Sequence, residues 1–208
     1  MRTDVGGKER VPVSLFFREV DAMGPVERRA LAEAKGTVLD LGAGAGALAL
    51  PLMREGLTVT ALEILPQALA ALREAGLADV RRGGIEALHP GERFDTVIAL
   101  MNGLGLPGTL AGLDDFLVEL EGRIGPGGRI LADSTDPSGW DDAGDGRYVG
   151  EVHMQLEYGG HAGDPFPFLF VDPEALSSSA ARAGLTCDVL EREDDGRYLV
   201  RMSRRGGG

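Results

Sequence analysis

The chain is poor in cysteine, lysine, histidine and aromatic residues, and each shortage narrows what it can be. One cysteine, Cys187, in 208 residues excludes an intramolecular disulfide and a cysteine-built metal site. The 3 histidines, His89, His153 and His161, lack metal-ligand spacing, so no metal is expected. No run reaches the roughly 20 apolar residues a bilayer-spanning helix needs. The stretch from Met1 to Arg10 is polar and carries no apolar signal core. These features predict a protein of the reducing cytoplasm with no membrane partner. Basic charge is also scarce: 21 Lys+Arg against 33 Asp+Glu leave a net charge of −12. Arg81-Arg82 and Arg204-Arg205 are isolated pairs, not a basic stripe. Such a surface repels nucleic acid, and a small or cationic partner is expected instead.

What is present is a core-forming composition, 43% hydrophobic, over a length that suits one α/β domain. Two short helical patterns, Ser14 to Met23 and Pro25 to Ala34, open the chain, the second with proline at its first position and Gly36 beyond its end. Strands are predicted at Thr37–Leu41, Thr58–Leu62, Asp79–Arg82, Thr96–Leu100 and Arg129–Asp133. Helices are predicted between them at Ala47–Glu55, Pro66–Ala75 and Leu110–Ile124, the last stopped by Gly125-Pro126-Gly127-Gly128. Alternating strands and helices point to a doubly wound α/β fold around a parallel sheet. Beyond Asp133 the period changes to two, from Tyr148 to Tyr158 and again at Phe166, Phe168 and Phe170, which reads as an inserted β-ribbon. Asp172-Pro173-Glu174 opens a last helix ending at Gly184, and Asp194-Asp195-Gly196 joins two final strands as a hairpin.

The chemistry concentrates where the first strand meets Gly42-Ala43-Gly44-Ala45-Gly46. Alternate glycines let a ligand approach the backbone, and the following helix offers free N–H groups. Gly42, Gly44 and Ala47 fit a loose dinucleotide fingerprint as well, whereas a triphosphate loop is excluded because no Gly-Lys-Ser/Thr follows. Asp40, two residues before the first glycine, would repel a pyrophosphate and favour a ligand bearing an ammonium or sulfonium; its alternative role is to satisfy backbone N–H groups of the turn. Glu63, ending the second strand, stands where an acid binds ribose hydroxyls in such folds; otherwise it is a solvated strand-end acid.

Taken in order, Val38-Leu39-Asp40-Leu41-Gly42-Ala43-Gly44-Ala45-Gly46, Val59-Thr60-Ala61-Leu62-Glu63, Phe94-Asp95-Thr96-Val97-Ile98 leading to Met101-Asn102, and Pro126-Gly127-Gly128-Arg129-Ile130-Leu131 resemble the motifs of class I S-adenosylmethionine-dependent methyltransferases. The resemblance covers roughly Gly36 to Asp133, and the final hairpin fits it too. It implies a mostly parallel seven-stranded sheet with the last strand antiparallel, and S-adenosyl-L-methionine as cofactor, leaving S-adenosyl-L-homocysteine as product. It also implies that the turn holding Gly42, Ala43, Gly44 and Gly46 cradles the methionine part, Glu63 holds the ribose and Ile64 packs on the adenine. Gly84-Ile85 matches a position where the family often has an aspartate, so the adenine contact falls to the Ile85 backbone, with Glu86 as a substitute acid or a plain surface one. Met101 and Asn102 would lie beside the transferred methyl group.

The acceptor is less legible. Asn102, Asp133 and His153 are the candidate catalytic residues, with Asp136 a further possible base. Phe16, Phe17, Trp140 and Tyr148 are candidate walls of an acceptor pocket. Each has an ordinary structural alternative: a strand-end acid, an exposed histidine, core aromatics. No Asn/Asp-Pro-Pro-Tyr/Phe sequence follows the fourth strand, which disfavours amide and adenine methylation of that type, and Cys187 reads as core. The expected layout is a single domain with N-terminal helices at 1–36, a cofactor-binding core at 37–138, the ribbon at 139–171 and a C-terminal helix and hairpin at 172–203. Methyl transfer to a small-molecule acceptor is the expected activity, with the ribbon covering the acceptor or forming a homodimer contact. A nicotinamide-dependent oxidoreductase and a non-catalytic cofactor-binding module are the rivals; Asp40 and the lack of chain for a substrate domain oppose the former.

Overall fold

A computed structural model describes residues 1–4, 10–141, 144 and 146–206. Lys8, part of the polar N-terminal stretch, and positions 142, 143 and 145 of the expected ribbon lie outside the described residues. In chain order the elements are β1 (Arg2–Thr3), α1 (Pro25–Glu33), β2 (Thr37–Leu41), α2 (Ala49–Arg54), β3 (Thr58–Glu63), α3 (Pro66–Glu74), β4 (Asp79–Arg82), β5 (Phe94–Ala99), α4 (Leu110–Glu121), β6 (Ile124–Thr135), β7 (Glu151–Gln155), β8 (Glu157–Tyr158), β9 (His161–Ala162), β10 (Phe166–Leu169), α5 (Pro173–Arg182), β11 (Leu185–Arg192) and β12 (Arg197–Arg204).

Seven strands form one sheet in the order β11-β12-β6-β5-β2-β3-β4. Pairing is parallel from β4 through β6, and β12 runs antiparallel to both β6 and β11. The fold is therefore the expected doubly wound α/β sheet with its last strand reversed. The pleat sorts successive residues to opposite faces. Val38, Val59 and Ile98 pack with Val26, Leu52 and Leu72 of α1, α2 and α3, while Leu39, Val97 and Ile130 pack with Leu113, Leu117 and Leu176 of α4 and α5. From β2 the chain builds outward through β3 to β4, then crosses to β5 on the other side of β2. That reversal of strand order is the switch point at which open α/β sheets bind ligands, beyond the carboxyl ends of the strands.

Several expected elements differ. Ser14 to Met23 is two 3₁₀ turns, Val13–Phe17 and Val20–Ala22, because Arg18 between them is extended at φ −73° and ψ 142°. The helix predicted to reach Ile124 ends at Glu121, and Ile124 instead begins β6, opposite Phe94, with a register shift before the pairing resumes at Thr96 and Arg129. The ribbon is a three-stranded antiparallel sheet, β1-β7-β10, carrying a small β8-β9 hairpin. Arg2 and Thr3 pair with Gln155 and Met154, a partner far away in sequence. The expected alternation holds where Val152 and Met154 are buried with Phe170, but Leu156 and Tyr158 are exposed.

Candidate cofactor site

The loop after β2 is pinned at its start: the amides of Gly42 and Ala43 both donate to the Leu62 carbonyl of β3, each at 3.0 Å. Gly42, Gly44 and Gly46 then take φ of 75°, 54° and 94°, a region open to glycine and costly to other residues. A Cβ placed on Gly42 or Gly44 would meet nothing within 4 Å, because both face open space, whereas one on Gly46 would strike Leu50 and Leu72 at 2.7 and 2.8 Å. Gly46 is thus needed by the protein's own packing, and Gly42 and Gly44 border the space a ligand would fill.

Glu63 anchors the same turn. Its Oε2 accepts from the Gly44 amide at 2.8 Å, and its Oε1 accepts from Ile64 and Leu65 at 2.7 and 2.9 Å. A carboxylate has about four acceptor directions, so capacity is left for further donors. Asp40, 2% exposed, is the neighbouring acid, and its Oδ2 is buried with no hydrogen-bond partner. Burial pushes its carboxyl up to about 7, against the Ala49 amide and with added push from the negative charge of Glu63. A buried carboxylate with one oxygen left unpartnered is costly, and a cationic ligand would relieve that cost.

These residues line one cavity of about 250 Å³, together with Ala43, Ala45, Leu65, Leu100, Met101, Phe16 and Arg18. An adjoining cavity of about 170 Å³, lined by Phe17, Arg18, Glu19 and Arg54 among others, runs between the N-terminal turns and α2. The glycine turn, Asp40, Glu63, Met101 and Phe16 are therefore brought together. Ile64 stands beside them, 65% exposed at the rim. Arg18 is a cavity residue the sequence did not single out, since its side-chain partners Glu27 and Met101 are 9 and 83 positions away.

Other candidates are placed elsewhere. Ile85 is a core residue, and the Gly84 amide donates to the Glu86 carboxylate at 2.7 Å, so Glu86 caps its own turn. Asp133 is fully buried, with Oδ2 accepting from Arg197 Nε at 2.6 Å and Oδ1 from the Gly103 amide at 3.3 Å, and it is not among the residues lining the cavity. His153 lies on β7 with Nδ1 3.2 Å from Asp4, away from the cavity. Trp140 packs edge-on against Phe170 at 4.9 Å. Tyr148 donates to Asp172 at 2.5 Å and accepts the Asp172 amide at 2.9 Å, tying the ribbon to the start of α5. Phe17 is 66% exposed over the adjoining cavity. Asn102 adjoins Met101 at φ 58°, its Oδ1 accepting from Thr135. Among the described residues no group of His, Cys, Asp or Glu could hold a metal ion, and no helix is long and apolar enough to cross a membrane.

The geometry has counterparts among known proteins. A methyltransferase domain model matches residues 38–128, the stretch that supplies the glycine turn, Glu63 and the end of β5. A solved S-adenosylmethionine-dependent methyltransferase from Bacteroides fragilis, in complex with S-adenosyl-L-homocysteine, superimposes with a TM-score of 0.86 at 33% identity over 98% of this chain and 86% of that one. This chain belongs to the S-adenosylmethionine-dependent methyltransferases. A ubiquinone biosynthesis O-methyltransferase of Methylobacterium nodulans is 44% identical over 70 residues, a match spanning 31% of this chain and 28% of that relative's length. The CcbJ methyltransferase of Streptomyces caelestis shares the fold, with a TM-score of 0.65 at 21% identity over 89% of this chain and 98% of its own.

Proposed function

We propose that this protein transfers the methyl group of S-adenosylmethionine to a small-molecule acceptor, and that the cavity at the ends of β2, β3 and β5 holds the cofactor. One observation carries the reading: a buried carboxylate with an unpartnered oxygen, Asp40, borders a glycine-lined cavity whose other acid, Glu63, is already oriented by three amides. The bound cofactor supplies an activated methyl group on a sulfonium. Asp40 offers the complementary charge for an ammonium, and Arg18 for a carboxylate, which suits a zwitterionic amino-acid tail. Glu63 accepts from ribose hydroxyls, Gly42 and Gly44 allow close approach, and Ile64 and Leu65 offer apolar surface to the base. A nicotinamide dinucleotide would bring its pyrophosphate against the Asp40 carboxylate, which disfavours that rival.

The acceptor side is proposed around Met101 and Asn102. With Asn102 Oδ1 engaged by Thr135, its amide N–H groups remain to orient an acceptor oxygen or nitrogen. No histidine, lysine, cysteine or tyrosine is among the described residues lining the cavity. Its two carboxylates, Asp40 and Glu63, are assigned to the cofactor in this reading, which therefore favours an acceptor atom that is nucleophilic without deprotonation by the protein, with alignment and exclusion of water providing the rate. We also propose a cytoplasmic location. Burial pushes the half-buried Cys187 thiol up to about 12, which keeps it in the neutral, weakly reactive form. Calorimetry with S-adenosylhomocysteine, followed by its release from S-adenosylmethionine with a panel of acceptors, tests the reading; binding without release for any acceptor would favour a cofactor-sensing module.

A further inference from the structure

Met101 and Asn102, at φ 65° and 58°, are consecutive non-glycine residues in the left-handed region. Backbone of this kind persists only where its surroundings over-determine it. Here Asn102 Oδ1 accepts from Thr135 Oγ1 at 3.0 Å, the Gly105 amide donates to the Asn102 carbonyl at 2.8 Å, and the Gly103 amide donates to Asp133. Asp133 is in turn held by Arg197 Nε, and Arg197 Nη1 reaches Glu27 Oε1 at 3.1 Å. That same Glu27 oxygen accepts from Arg18 Nη2, which lies 3.3 Å from Met101 Sδ. The contacts close a ring from the turn, through three buried ion pairs, back to the turn by way of a cavity residue.

Glu27 is 2% exposed and is the one anion both arginines share within this ring. Each guanidinium also keeps a buried nitrogen with no partner, Nε of Arg18 and Nη2 of Arg197, so neither is locked to a single acid. An anionic group arriving beside Arg18 would draw it from Glu27. Glu27 would then bind Arg197 more fully, and the hold of Arg197 on Asp133, hence on the turn, would change. We propose that Glu27 and Arg197 are positioning residues that couple the seating of the cofactor beside Arg18 to the geometry of the Met101–Asn102 turn facing the acceptor. The inference rests on the reading of the cavity as the cofactor site.

The experiment uses the full chain with methionine methyl groups labelled in ¹³C, S-adenosylhomocysteine as probe, and amide exchange as a second readout. In the parent protein the probe moves the Met101 methyl resonance, identified by its loss in Met101→Leu, and slows exchange at Gly103 and Gly105 by about ten-fold or more. Glu27→Gln keeps the shape but removes the shared charge. It should bind the probe within about five-fold of the parent and retain protection at residues 42–46, while protection at Gly103 and Gly105 falls below about two-fold. Arg197→Lys, which keeps the charge but not the fork, should fall between the two and serves in place of Glu27→Gln if that variant does not fold. Loss of a merely structural contact would speed exchange across α1 without the probe and leave probe-induced protection of the turn intact. Full protection of the turn in both variants, or a parent protein that binds the probe with no change at Gly103 and Gly105, would overturn the coupling. Absence of any binding heat in the parent refutes the cofactor reading itself.

Discussion

Glu63 and Gly44 are joined across the mouth of the sheet: the Gly44 amide donates to Glu63 Oε2 at 2.8 Å, so the acid that ends β3 also shapes the glycine turn that follows β2. A single substitution at Glu63 should then act on the turn and on ligand binding together. Glu63→Ala removes an acceptor from three amides and the charge proposed to bind the ribose hydroxyls. It should weaken S-adenosylhomocysteine by about 2 kcal/mol, roughly thirty-fold in Kd, and lower the melting temperature without ligand. Glu63→Gln should lose nearly as much, because one arm of its amide turns N–H groups toward N–H groups. Unchanged affinity by calorimetry in both variants would remove Glu63 from the site.

Asp40 costs stability when ionised, and in the proposed reading that charge recognises the cofactor ammonium. Its carboxyl is raised to about 7 in the folded protein against an ordinary value of 3.8, so the folded state holds the proton more tightly. The stability this confers is present below about pH 4 and is lost as pH rises toward and through 7. Asp40→Asn should therefore melt higher than the parent at pH 8.5, by up to roughly 4 kcal/mol, and the gap should shrink by pH 5. Affinity of the parent for S-adenosylhomocysteine should rise as pH passes through 7, with a proton released on binding below that pH. Adenosine, which has no ammonium, should show neither effect. A stability gap independent of pH would mean that Asp40 is not titrating in this range.

Gly44 and Gly46 separate ligand space from protein packing. At Gly46 a methyl group collides with Leu50 and Leu72, so Gly46→Ala should cost about 2–4 kcal/mol of stability. At Gly44 the methyl group points into the cavity. Gly44→Ala should cost only about 1–2 kcal/mol from its positive φ, a few degrees in melting temperature, yet reduce S-adenosylhomocysteine affinity at least about ten-fold. Wild-type affinity in Gly44→Ala would place the ligand elsewhere.

The sheet was legible because its information is local. Val38-Leu39, Val97-Ile98 and Ile130-Leu131 are apolar pairs whose members face opposite cores, and the Gly42–Gly46 turn interrupts them where the backbone must reverse hand. What could not be read depends on distant partners. Arg2 and Thr3 form a strand only because β7 supplies an edge. Ser14 to Met23 has apolar residues at helical spacing, but Arg18 extends the backbone there and reaches Glu27 and Met101. Asp133 looked like an available base at a strand end; Arg197, 64 positions later, consumes it. Tyr148 looked like a pocket wall, and its hydroxyl instead ties the ribbon to α5.

The ribbon supports two readings, and its anchors decide how to test them. Phe168 of β10 packs so closely on Gly105 that a Cβ there would overlap its ring. The Val171 amide donates to Ser134 at 3.0 Å, and Tyr198 donates to the Val171 carbonyl at 2.6 Å. Excising residues 139–171 would strip these bonds and the Tyr148–Asp172 tie, so loss of function in that deletion would report unfolding. The tip is separable in its strand pairing: among the described residues β8 and β9 pair with each other alone, and Leu156 and Tyr158 are 53% and 76% exposed. Replacing residues 156–163 with a two-residue turn should leave melting within about 4 °C of the parent and S-adenosylhomocysteine affinity within about two-fold, since no cavity residue is touched. If the ribbon covers the acceptor, transfer to an acceptor found by the panel falls while the mass by light scattering stays the same. If the exposed tip joins two copies, the parent has the mass of a dimer and the trimmed protein that of a monomer. Full transfer activity at unchanged mass would exclude both roles for the tip.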